Sequence, residues 1–419
     1  MGYNAKEKGY IMLLLKGIYN SAKVYTDQID ETTQLQIIDL CNQEFFQDAN
    51  IRIMPDCHAG MGCVIGTTMT ICDKVVPNLV GVDIGCGMLV VNLGEIDIDF
   101  ENVDRFIREQ IPHGFQINQH PQIDFSKTIE NIKCFREIPK SSKEFNRALG
   151  SLGGGNHFIE INCDDNNNKY LVIHSGSRNL GKQIATYYQN KAYQYHTGEN
   201  ELFEKEREEL IRTFKEEGKR KEIQKALKAL KEKYKRECII PKDLCYLEGR
   251  LMEDYLHDMK IVQEYANKNR EVIGRRIVNE CLQLNFNNLH NFQTIHNYID
   301  IENKILRKGA ISAYKDEIVV IPINMRDGSI IAKGKGNPDW NYSAPHGAGR
   351  LMSRNVAKDH ISIQDFQDSM AGIWSSSVRE ATLDEAPMAY KPIENILNNV
   401  SDTVEILQII KPLYNFKSS

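Results

Sequence analysis

The chain of 419 residues has few of the features that mark secreted, membrane-spanning or strongly basic proteins. Its ten cysteines are scattered and include no Cys-X-X-Cys pair, so neither a disulfide framework nor a zinc finger is predicted. Lysine and arginine number 52 against 57 aspartate and glutamate residues, which gives a formal net charge of −5. This balance excludes a protein that binds nucleic acid through bulk positive charge, although a local basic cleft is compatible with it.

The chain also lacks a long hydrophobic run. Near its start, residues 10–15 form a short apolar stretch that continues directly into Lys16. A membrane-spanning helix needs about 20 apolar residues, and a signal peptide needs small residues at a cleavage site. Neither pattern is met, so we expect a cytoplasmic protein with reduced thiols and no membrane partner.

Hydrophobic residues make up 41% of the chain and prolines number only 12, which favours a well-packed globular enzyme. Short β-rich runs separated by glycine turns occur in the first part and return around residues 157–174 and 318–333, whereas residues 101–146 are more polar and predict helices. We expect a mixed α/β body formed by residues 1–419 as one catalytic domain. A helical segment is predicted near its end, over residues 393–410.

A helical insertion is predicted within this body, at about residues 182–284. Apolar residues recur there at helical spacing, first as Ile223, Leu227, Leu230 and Tyr234 and then, beyond a break at residues 239–241, as Leu247, Leu251, Tyr255, Met259 and Val262. The two runs predict an antiparallel helical hairpin. Its dense lysine and glutamate residues are typical of a solvated helix face, and contact with RNA or with a protein is the alternative interpretation.

Asp83 and Cys86 lie in a glycine-flanked turn, Gly-Val-Asp-Ile-Gly-Cys-Gly-Met, at residues 81–88. A carboxylate and a thiolate this close together are able to bind one ion, and a bound cation keeps the thiol deprotonated. Taken alone, the pattern is more typical of a buried structural cysteine in a tight turn.

Histidines accompany small residues in three further segments. His157 follows a glycine run and an asparagine, and Glu160 lies three residues beyond it. His174 begins the segment His-Ser-Gly-Ser-Arg, in which the guanidinium of Arg178 suits phosphate oxygens, and His296 begins another strand-like run. Glycines let a backbone approach an anion closely. Each histidine alone is also explained as a structural or surface residue, and the glycines as an ordinary loop.

His346 is followed by Gly-Ala-Gly and then Arg350. Small neighbours leave an imidazole unhindered, as required of a nucleophile that attacks phosphorus, and a protonated imidazole departs readily from phosphorus. Together with the carboxylate, thiolate and imidazoles above, this histidine indicates metal-assisted phosphoryl or nucleotidyl transfer. Mixed oxygen, sulfur and nitrogen ligands favour Mn²⁺ or Zn²⁺ over Mg²⁺.

The same segments resemble the RtcB family of RNA ligases over nearly the whole chain. The matching motifs occur in the family's order at residues 54–60, 81–88, 155–160, 174–178, 307–310, 346–350 and 389–391. Several long motifs in one order are far more specific than any one of them. The resemblance implies an α/β (α+β) body with central β-sheets flanked by helices, and a cytoplasmic enzyme of RNA repair or tRNA splicing.

The resemblance also implies a mechanism. Two Mn²⁺ ions would be bound by Asp83, Cys86, His157, His174 and His296, with Cys86 between the ions. His346 would attack the α-phosphate of GTP and carry GMP as guanylyl-histidine. The enzyme would open an RNA 2′,3′-cyclic phosphate to a 3′-phosphate, transfer GMP to it, and join it to a 5′-hydroxyl end with release of GMP.

Contacts with GTP are implied at several positions of this sequence. They are Asn156, Glu160, Asn297, Asn324, Ser329, Gly347, Ala348, Gly349, Tyr390 and Lys417. Arg178 and Arg350 are expected to bind RNA or phosphate. The family's usual Pro-Gly-Ser-Met-Gly loop reads Pro-Ile-Asn-Met-Arg-Asp-Gly at residues 322–328, so Ile323 and Asn324 replace a glycine and a serine. This variant loop is expected to alter nucleotide affinity or preference.

Two other functions fit the residues. A metal-dependent phosphoesterase that processes RNA ends without joining them would need the metal-binding residues but not His346. A protein that binds damaged RNA ends would use the charged hairpin and recognise shape and end chemistry. The natural RNA, the physiological metal and the need for an activating protein are open at this point.

Overall fold

The computed structural model of the protein describes residues 3–5, 12–60 and 62–418. The strands are β1 (Tyr3–Ala5), β2 (Met12–Lys16), β3 (Ser21–Val24), β4 (Ile51–His58), β5 (Ile65–Thr70), β6 (Lys74–Val75), β7 (Gly87–Gly94), β8 (Phe158–Cys163), β9 (Lys169–Ser175), β10 (Leu247–Glu248), β11 (Asn291–Ile295), β12 (Asn297–Asp300), β13 (Ile305–Lys308), β14 (Ala310–Ser312), β15 (Ile318–Asn324), β16 (Gly328–Gly334), β17 (Ser343–Pro345) and β18 (Val404–Lys417). The α-helices are α1 (Glu31–Cys41), α2 (Phe100–Gln110), α3 (Ser126–Glu130), α4 (Ser142–Ala148), α5 (Arg178–His196), α6 (Glu201–Glu216), α7 (Ile223–Tyr234), α8 (Gly249–Arg276), α9 (Arg354–His360), α10 (Ile363–Ser369) and α11 (Ile393–Leu397). Tyr10 and Ile11, at the start of the short apolar run, lie outside the described residues.

Two seven-stranded sheets form the body. The first has the order β1-β2-β3-β4-β5-β13-β12, and the second has the order β11-β7-β9-β8-β18-β16-β15. Hydrogen bonding is antiparallel throughout the second sheet. Two sheets flanked by helices confirm the α/β fold class predicted from the sequence.

Helix α8 links the apolar cores of the two sheets. Met259 and Val262 belong to a core that also contains residues of the first sheet, whereas Ile273 packs into the core beneath β7, β8 and β9. These side chains are fully buried, because the helix is enclosed by both cores rather than lying on the surface. The helix therefore brings a rigid element close to the strands of the second sheet.

Both helices predicted in the insertion are present, as α7 and α8, but the hairpin is formed by α6 and α7. The ring centres of Phe203 and Tyr234 lie 5.7 Å apart across this pair, and Lys233 forms an ion pair of 2.8 Å with Glu206. Helix α8 packs instead on α5, β7 and β9. Periodicity predicted the helices but not their partners, since partner choice depends on the faces of distant elements.

The prediction of a helix over residues 393–410 is wrong beyond Leu397. Helix α11 ends at Leu397, and residues from Val404 form the long strand β18 between β16 and β8. Val404 and Ile410 are buried in that sheet. β-branched residues suit a strand, and the pairing available on both sides of β18 outweighs a weak helical spacing. In the part of the chain that the structure describes, no helix is both long and apolar enough to cross a membrane.

Candidate functional site

The predicted metal-binding residues converge at one end of the second sheet. The antiparallel register places Met88 opposite His174, and His174 opposite Phe158. Cys86 lies in the turn before β7, and His157 directly precedes β8. His296 links β11 to β12 and its backbone N–H donates to the carbonyl of Cys86 at 2.9 Å. The strand ends thereby gather side chains from four distant segments.

The donor atoms of these residues form two groups of three that share Cys86. Its Sγ atom lies 3.4 Å from Nε2 of His157 and 3.3 Å from Nε2 of His174. One group consists of Asp83, Cys86 and His157, the other of Cys86, His174 and His296, and within each group the donor atoms lie within 4.8 Å of one another. Two ions bridged by one thiolate would fit this arrangement.

Backbone carbonyls orient the two histidines nearest the thiol. The carbonyl of Leu152 lies 2.9 Å from Nδ1 of His157, and the carbonyl of Asn156 lies 3.2 Å from Nδ1 of His174. Because a carbonyl only accepts, Nδ1 of each ring carries a proton and Nε2 of each ring faces Cys86. Metal-binding histidines are commonly held in this way.

Burial sets the protonation states of the site. It lowers the pKa of His174 and of His296 well below the usual value, so both imidazoles are neutral, as metal ligands must be. Burial raises the pKa of Asp83, but hydrogen bonding to His157 outweighs it and the pKa falls to about 2. Burial and the adjacent Asp83 raise the pKa of the Cys86 thiol well above its usual range. A cation in this position would reverse that effect and stabilise the thiolate.

The donor set therefore fits a pair of divalent cations. One carboxylate, one thiolate and three imidazoles are ligands typical of borderline transition metals rather than of Mg²⁺ or Ca²⁺. All five residues are those that the family resemblance implied, and the structure brings them together.

Two residues of α8 that the sequence analysis missed brace this site. Arg270 is fully buried and donates from Nη1 to the carbonyls of Gly85 and Ser175, both at 2.8 Å. Asn269 accepts from the backbone N–H groups of Gly150 and Ser151. Nothing local in the sequence distinguished these two residues, because Asn267, Lys268 and Glu271 beside them are also polar. Their bonds fix the turns that carry the metal-binding side chains.

A third missed residue, Asp56, orients the predicted nucleophile. Its Oδ2 atom lies 2.7 Å from Nδ1 of His346 and also accepts from the backbone N–H groups of His346 (3.1 Å) and Gly347 (3.2 Å). A carboxylate that accepts from Nδ1 leaves the lone pair of His346 on Nε2. Asp56 lies within the matching motif at residues 54–60, which was the available signal.

A cavity of about 510 Å³ joins these groups. The predicted residues that line it are Asp83, Cys86, Asn156, Glu160, His174, His296, Asn297, Asn324, His346, Gly347, Ala348, Gly349, Arg350, Tyr390 and Lys417. The ring centres of His296 and His346 lie 5.0 Å apart, so the nucleophile borders the metal-binding side chains. The volume is within the range of small-molecule sites.

One wall of the cavity contains a carboxylate and an ammonium group, those of Glu160 and Lys417. Glu160 in β8 is buried and accepts from Asn162 at 3.3 Å and from Asn415 at 2.5 Å. Burial raises the pKa of Glu160 to about 7, and the positive charge of Lys417 limits the rise. Lys417 in turn donates to Glu385 at 2.5 Å. An acceptor and a donor therefore lie on one side of the cavity.

Glu385, which the sequence analysis missed, anchors this wall. Burial raises its pKa, but Lys417 and Arg354 outweigh burial and lower it to about 2. The hydroxyl of Tyr390 donates to the same carboxylate at 2.7 Å, and the guanidinium of Arg350 lies 4.9 Å from the ring centre of Tyr390. The carboxylate holds three side chains that line the cavity.

Three predicted residues do not line the cavity. His157 lies behind Asp83 and Cys86, within bonding distance of both. Arg178 donates to Oγ of Ser151 at 2.9 Å and to the carbonyl of Gly114 at 2.8 Å. Ser329 is buried in β16. The structure therefore places Arg178 and Ser329 in supporting positions.

The variant loop is held by its own side chains. Oδ1 of Asn324 accepts from the backbone N–H groups of Arg326 and Asp327, both at 2.9 Å, and its amide donates to Asp327 at 2.8 Å. Ile323 is buried and packs into the core beneath β15 and β16. Similarly, the amide of Asn297 is bound to the backbone of Asp83 and Gly309. Asn297 and Asn324 both line the cavity, and the side chains of both are hydrogen-bonded within the protein.

Comparisons with known proteins agree with these motifs. The family model described as tRNA-splicing ligase RtcB matches residues 36–418. The RNA-splicing ligase RtcB of Escherichia coli (strain K12) is 28% identical over 418 residues, which cover 91% of this chain and 93% of the relative. The RNA-splicing ligase RtcB2 of Escherichia coli (strain ATCC 25922) is 25% identical over 95% and 97% of the two chains. The tRNA-splicing ligase RtcB of Nanoarchaeum equitans is 26% identical over 82% and 83%.

Proposed function

The chain belongs to the RtcB family of RNA-splicing ligases, and we propose that it is the GTP- and Mn²⁺-dependent form of this enzyme, joining RNA 2′,3′-cyclic phosphate or 3′-phosphate ends to 5′-hydroxyl ends. The observation that carries the proposal is the position of His346. Asp56 holds its ring at 2.7 Å, and the ring borders two donor groups that share Cys86. A nucleophile for phosphorus and ligands for two cations are thereby combined in one cavity.

His346 attacks the α-phosphorus of GTP through Nε2. A bond from Nε2 to phosphorus forms, the bond to the bridging oxygen breaks, and pyrophosphate leaves. The proton stays on Nδ1, hydrogen-bonded to the carboxylate of Asp56. The negative charge of this carboxylate stabilises the positive charge that develops on the ring. The same charge makes the imidazole a good leaving group when GMP is passed on.

Asp83, Cys86, His157, His174 and His296 are the residues that would hold the two Mn²⁺ ions. When bound, the ions supply charge neutralisation at the phosphate oxygens. The protein contributes the fixed geometry, since Arg270 holds the turns that carry Cys86 and His174. A site fixed in advance stabilises the transition state without reorganising.

Guanine is selected at the wall formed by Glu160 and Lys417. The carboxylate of Glu160 would accept from the N1 and N2 donors of guanine, and the ammonium of Lys417 would donate to O6. Adenine presents the opposite pattern, a donor in place of O6 and an acceptor at N1. Tyr390 lines the cavity and would stack on the base.

The RNA steps use the carried GMP. Water opens the 2′,3′-cyclic phosphate to a 3′-phosphate, and an oxygen of that phosphate attacks the phosphorus on His346, which releases the imidazole. The 5′-hydroxyl of the second RNA end then attacks the 3′-phosphorus, and GMP leaves. Guanylylation is needed because an unmodified phosphate oxygen is a poor leaving group.

Joining of defined RNA ends tests the proposal. Purified protein with GTP and Mn²⁺ is expected to join a 2′,3′-cyclic phosphate end to a 5′-hydroxyl end, and not to a 5′-phosphate end. His346→Ala is expected to join neither. A phosphoesterase would open the cyclic phosphate in wild type and in His346→Ala equally, without any joined product, and that result would replace the ligase by the second function.

A further inference from the structure

Phe115 is the most exposed of the large hydrophobic residues in the described part of the chain. Its relative exposure is 107%, so the whole ring protrudes into solvent. Gln116 and Gln119, which follow it, are exposed polar residues. A single protruding aromatic ring among polar neighbours is unlike the broad apolar patch through which proteins usually associate.

The turn that carries Phe115 is firmly held. The backbone N–H of Gln116 donates to the carbonyl of His113 at 3.1 Å, and Gly114 between them adopts a φ of +61°, which favours glycine. The N–H of Gly114 donates to the carbonyl of Gly153, and its own carbonyl accepts from Arg178, both at 2.8 Å. The aromatic ring is therefore presented by a fixed backbone.

The turn contacts two segments that lead to the nucleotide cavity. Gly153 belongs to the glycine run that leads into Asn156, a residue of the cavity wall. On the other side, the ring of His113 lies 5.3 Å from the ring of Phe416, which directly precedes the wall residue Lys417. Both segments that contact the turn thus reach the cavity within a few residues.

We propose that Phe115 is a stacking platform for an unpaired base of the RNA, at a subsite outside the cavity that takes GTP. This proposal rests on the proposed function, because it is the RNA ligase activity that brings RNA ends to this cavity. Proteins bind single-stranded RNA by stacking bases on exposed aromatic rings. Every base has a π-face, so the platform accepts ends of differing sequence while fixing where the strand enters.

The role of the half-buried Arg178 follows from the same geometry. Arg178 was predicted to bind RNA or phosphate, but its hydrogen bonds go to Ser151 and Gly114. Arg178 is the positioning residue that couples the aromatic turn to the segment preceding the glycine run. Phe115 itself would touch the substrate.

The test is a double-mutant cycle between Phe115 and the RNA. The probe is a fluorescent single-stranded RNA of about 12 nucleotides with a 5′-hydroxyl and a 2′,3′-cyclic phosphate, without GTP so that no joining occurs. Phe115→Ala is expected to weaken binding about 10-fold, whereas Phe115→Trp retains affinity and Phe115→Leu, apolar but not aromatic, binds as weakly as Phe115→Ala.

A series of RNAs, each lacking one base, locates the contact. Wild type is expected to lose about 10-fold at one position near an end, and Phe115→Ala to show no further loss at that position. Ile239→Ala is the matched control, because Ile239 has a relative exposure of 96% in the loop after α7, and its binding should equal wild type. If Phe115→Ala and the missing base reduced the binding free energy additively, the proposed stacking of that base on Phe115 would be overturned.

Formation of the GMP adduct separates this proposal from the proposed function. Adduct formation needs no RNA, so Phe115→Ala should label as wild type does. If wild type forms no adduct but the cycle shows coupling at one base, the platform stands and the ligase mechanism falls. If the adduct forms and Phe115→Ala binds intact RNA within about 2-fold of wild type, the platform falls alone. Equal weakening by Phe115→Leu and Phe115→Trp would also overturn stacking.

Discussion

Nδ1 of His346 lies 2.7 Å from Oδ2 of Asp56, across a separation of 290 residues in the sequence. The same oxygen accepts from two backbone N–H groups that flank the ring, so the carboxylate fixes both the backbone and the tautomer of the histidine. The side chain of Asp56 is fully buried, whereas about a fifth of the His346 side chain is exposed to the cavity. In the proposed mechanism, this pairing selects one imidazole as the nucleophile among the four histidines of the cluster.

Asp56→Asn is expected to slow GMP transfer to the protein by about 100-fold or more. The amide oxygen is able to keep the hydrogen bonds, but the negative charge that stabilises the developing imidazolium is lost. Single-turnover labelling with GTP measures the rate, and Mn²⁺ binding should be unchanged, because Asp56 lies in neither donor group. A labelling rate equal to that of wild type would show that the charge of Asp56 has no part in the reaction.

Removing single metal-binding side chains is expected to give unequal losses of Mn²⁺. Cys86 belongs to both donor groups, so Cys86→Ala weakens both ions, whereas His157→Ala weakens only one. Titration of Mn²⁺ by electron paramagnetic resonance gives the number of bound ions without relying on activity. Two ions bound to Cys86→Ala with wild-type affinity would contradict the shared position of the thiol.

The preference for GTP is expected to depend on pH through Glu160. Burial raises the pKa of Glu160 to about 7, so the carboxylate that accepts from guanine is present above that pH and is lost below it. The kcat/KM for GTP in adduct formation should therefore be about 10-fold lower at pH 6 than at pH 8. Glu160→Gln is the matched control, because it cannot titrate and retains every other group.

In Glu160→Gln the ratio between the two pH values should shrink to that given by GTP and the remaining residues. The same 10-fold change in both proteins would assign the titration to another group. The raised pKa of Glu160 also affects the stability of wild type. The free energy of unfolding falls as the pH rises from about 4.5 to about 7, since the folded chain keeps the Glu160 proton to a higher pH than the unfolded chain does.

Glu385→Gln is expected to destabilise the fold by about 3 kcal/mol or more at neutral pH. The substitution leaves Lys417 buried without its anionic partner, which is the costly way to disrupt a buried ion pair. The free energy of unfolding in urea measures the loss at pH 7. A difference below about 1 kcal/mol would show that the remaining hydrogen bonds are sufficient.

The pH dependence of that difference has a definite sign. The folded pKa of Glu385 is lowered to about 2 from the usual 4.5, so its stabilising contribution is complete above the unfolded pKa and is lost as the pH falls toward 2. Wild type and Glu385→Gln should converge in stability as the pH is lowered below about 5. A difference in the free energy of unfolding that stays constant over this pH interval would contradict the lowered pKa of Glu385.

Four of the five predicted metal-binding residues lie within two residues of a glycine at a strand end, which made them visible in the sequence, whereas His296 has no glycine nearby. Cys86 and His174 meet since β7 and β9 pair in register, which follows from the strands once their order is known. Strand order itself was not predictable from local periodicity. For that reason residues 404–410 were assigned to a helix, although they belong to β18 in the interior of the second sheet.

The supporting residues were harder to find. Arg270 lies in a helix whose spacing is explained by its apolar neighbours, and Glu385 lies in a short 3₁₀ turn without a local pattern. Their partners, Ser175 and Lys417, are far away in the sequence. A buried charge is recognised only when the elements that enclose it are known.

The most direct test is the mass of the protein after incubation with GTP and Mn²⁺. Wild type is expected to gain one GMP, the adduct to be acid-labile as a phosphoramidate, and peptide mapping to place it on His346. His346→Ala should gain nothing while retaining its Mn²⁺, because its side chain belongs to neither donor group. No adduct on the metal-loaded wild type, or an adduct that persists in His346→Ala, would contradict nucleotidyl transfer through this histidine.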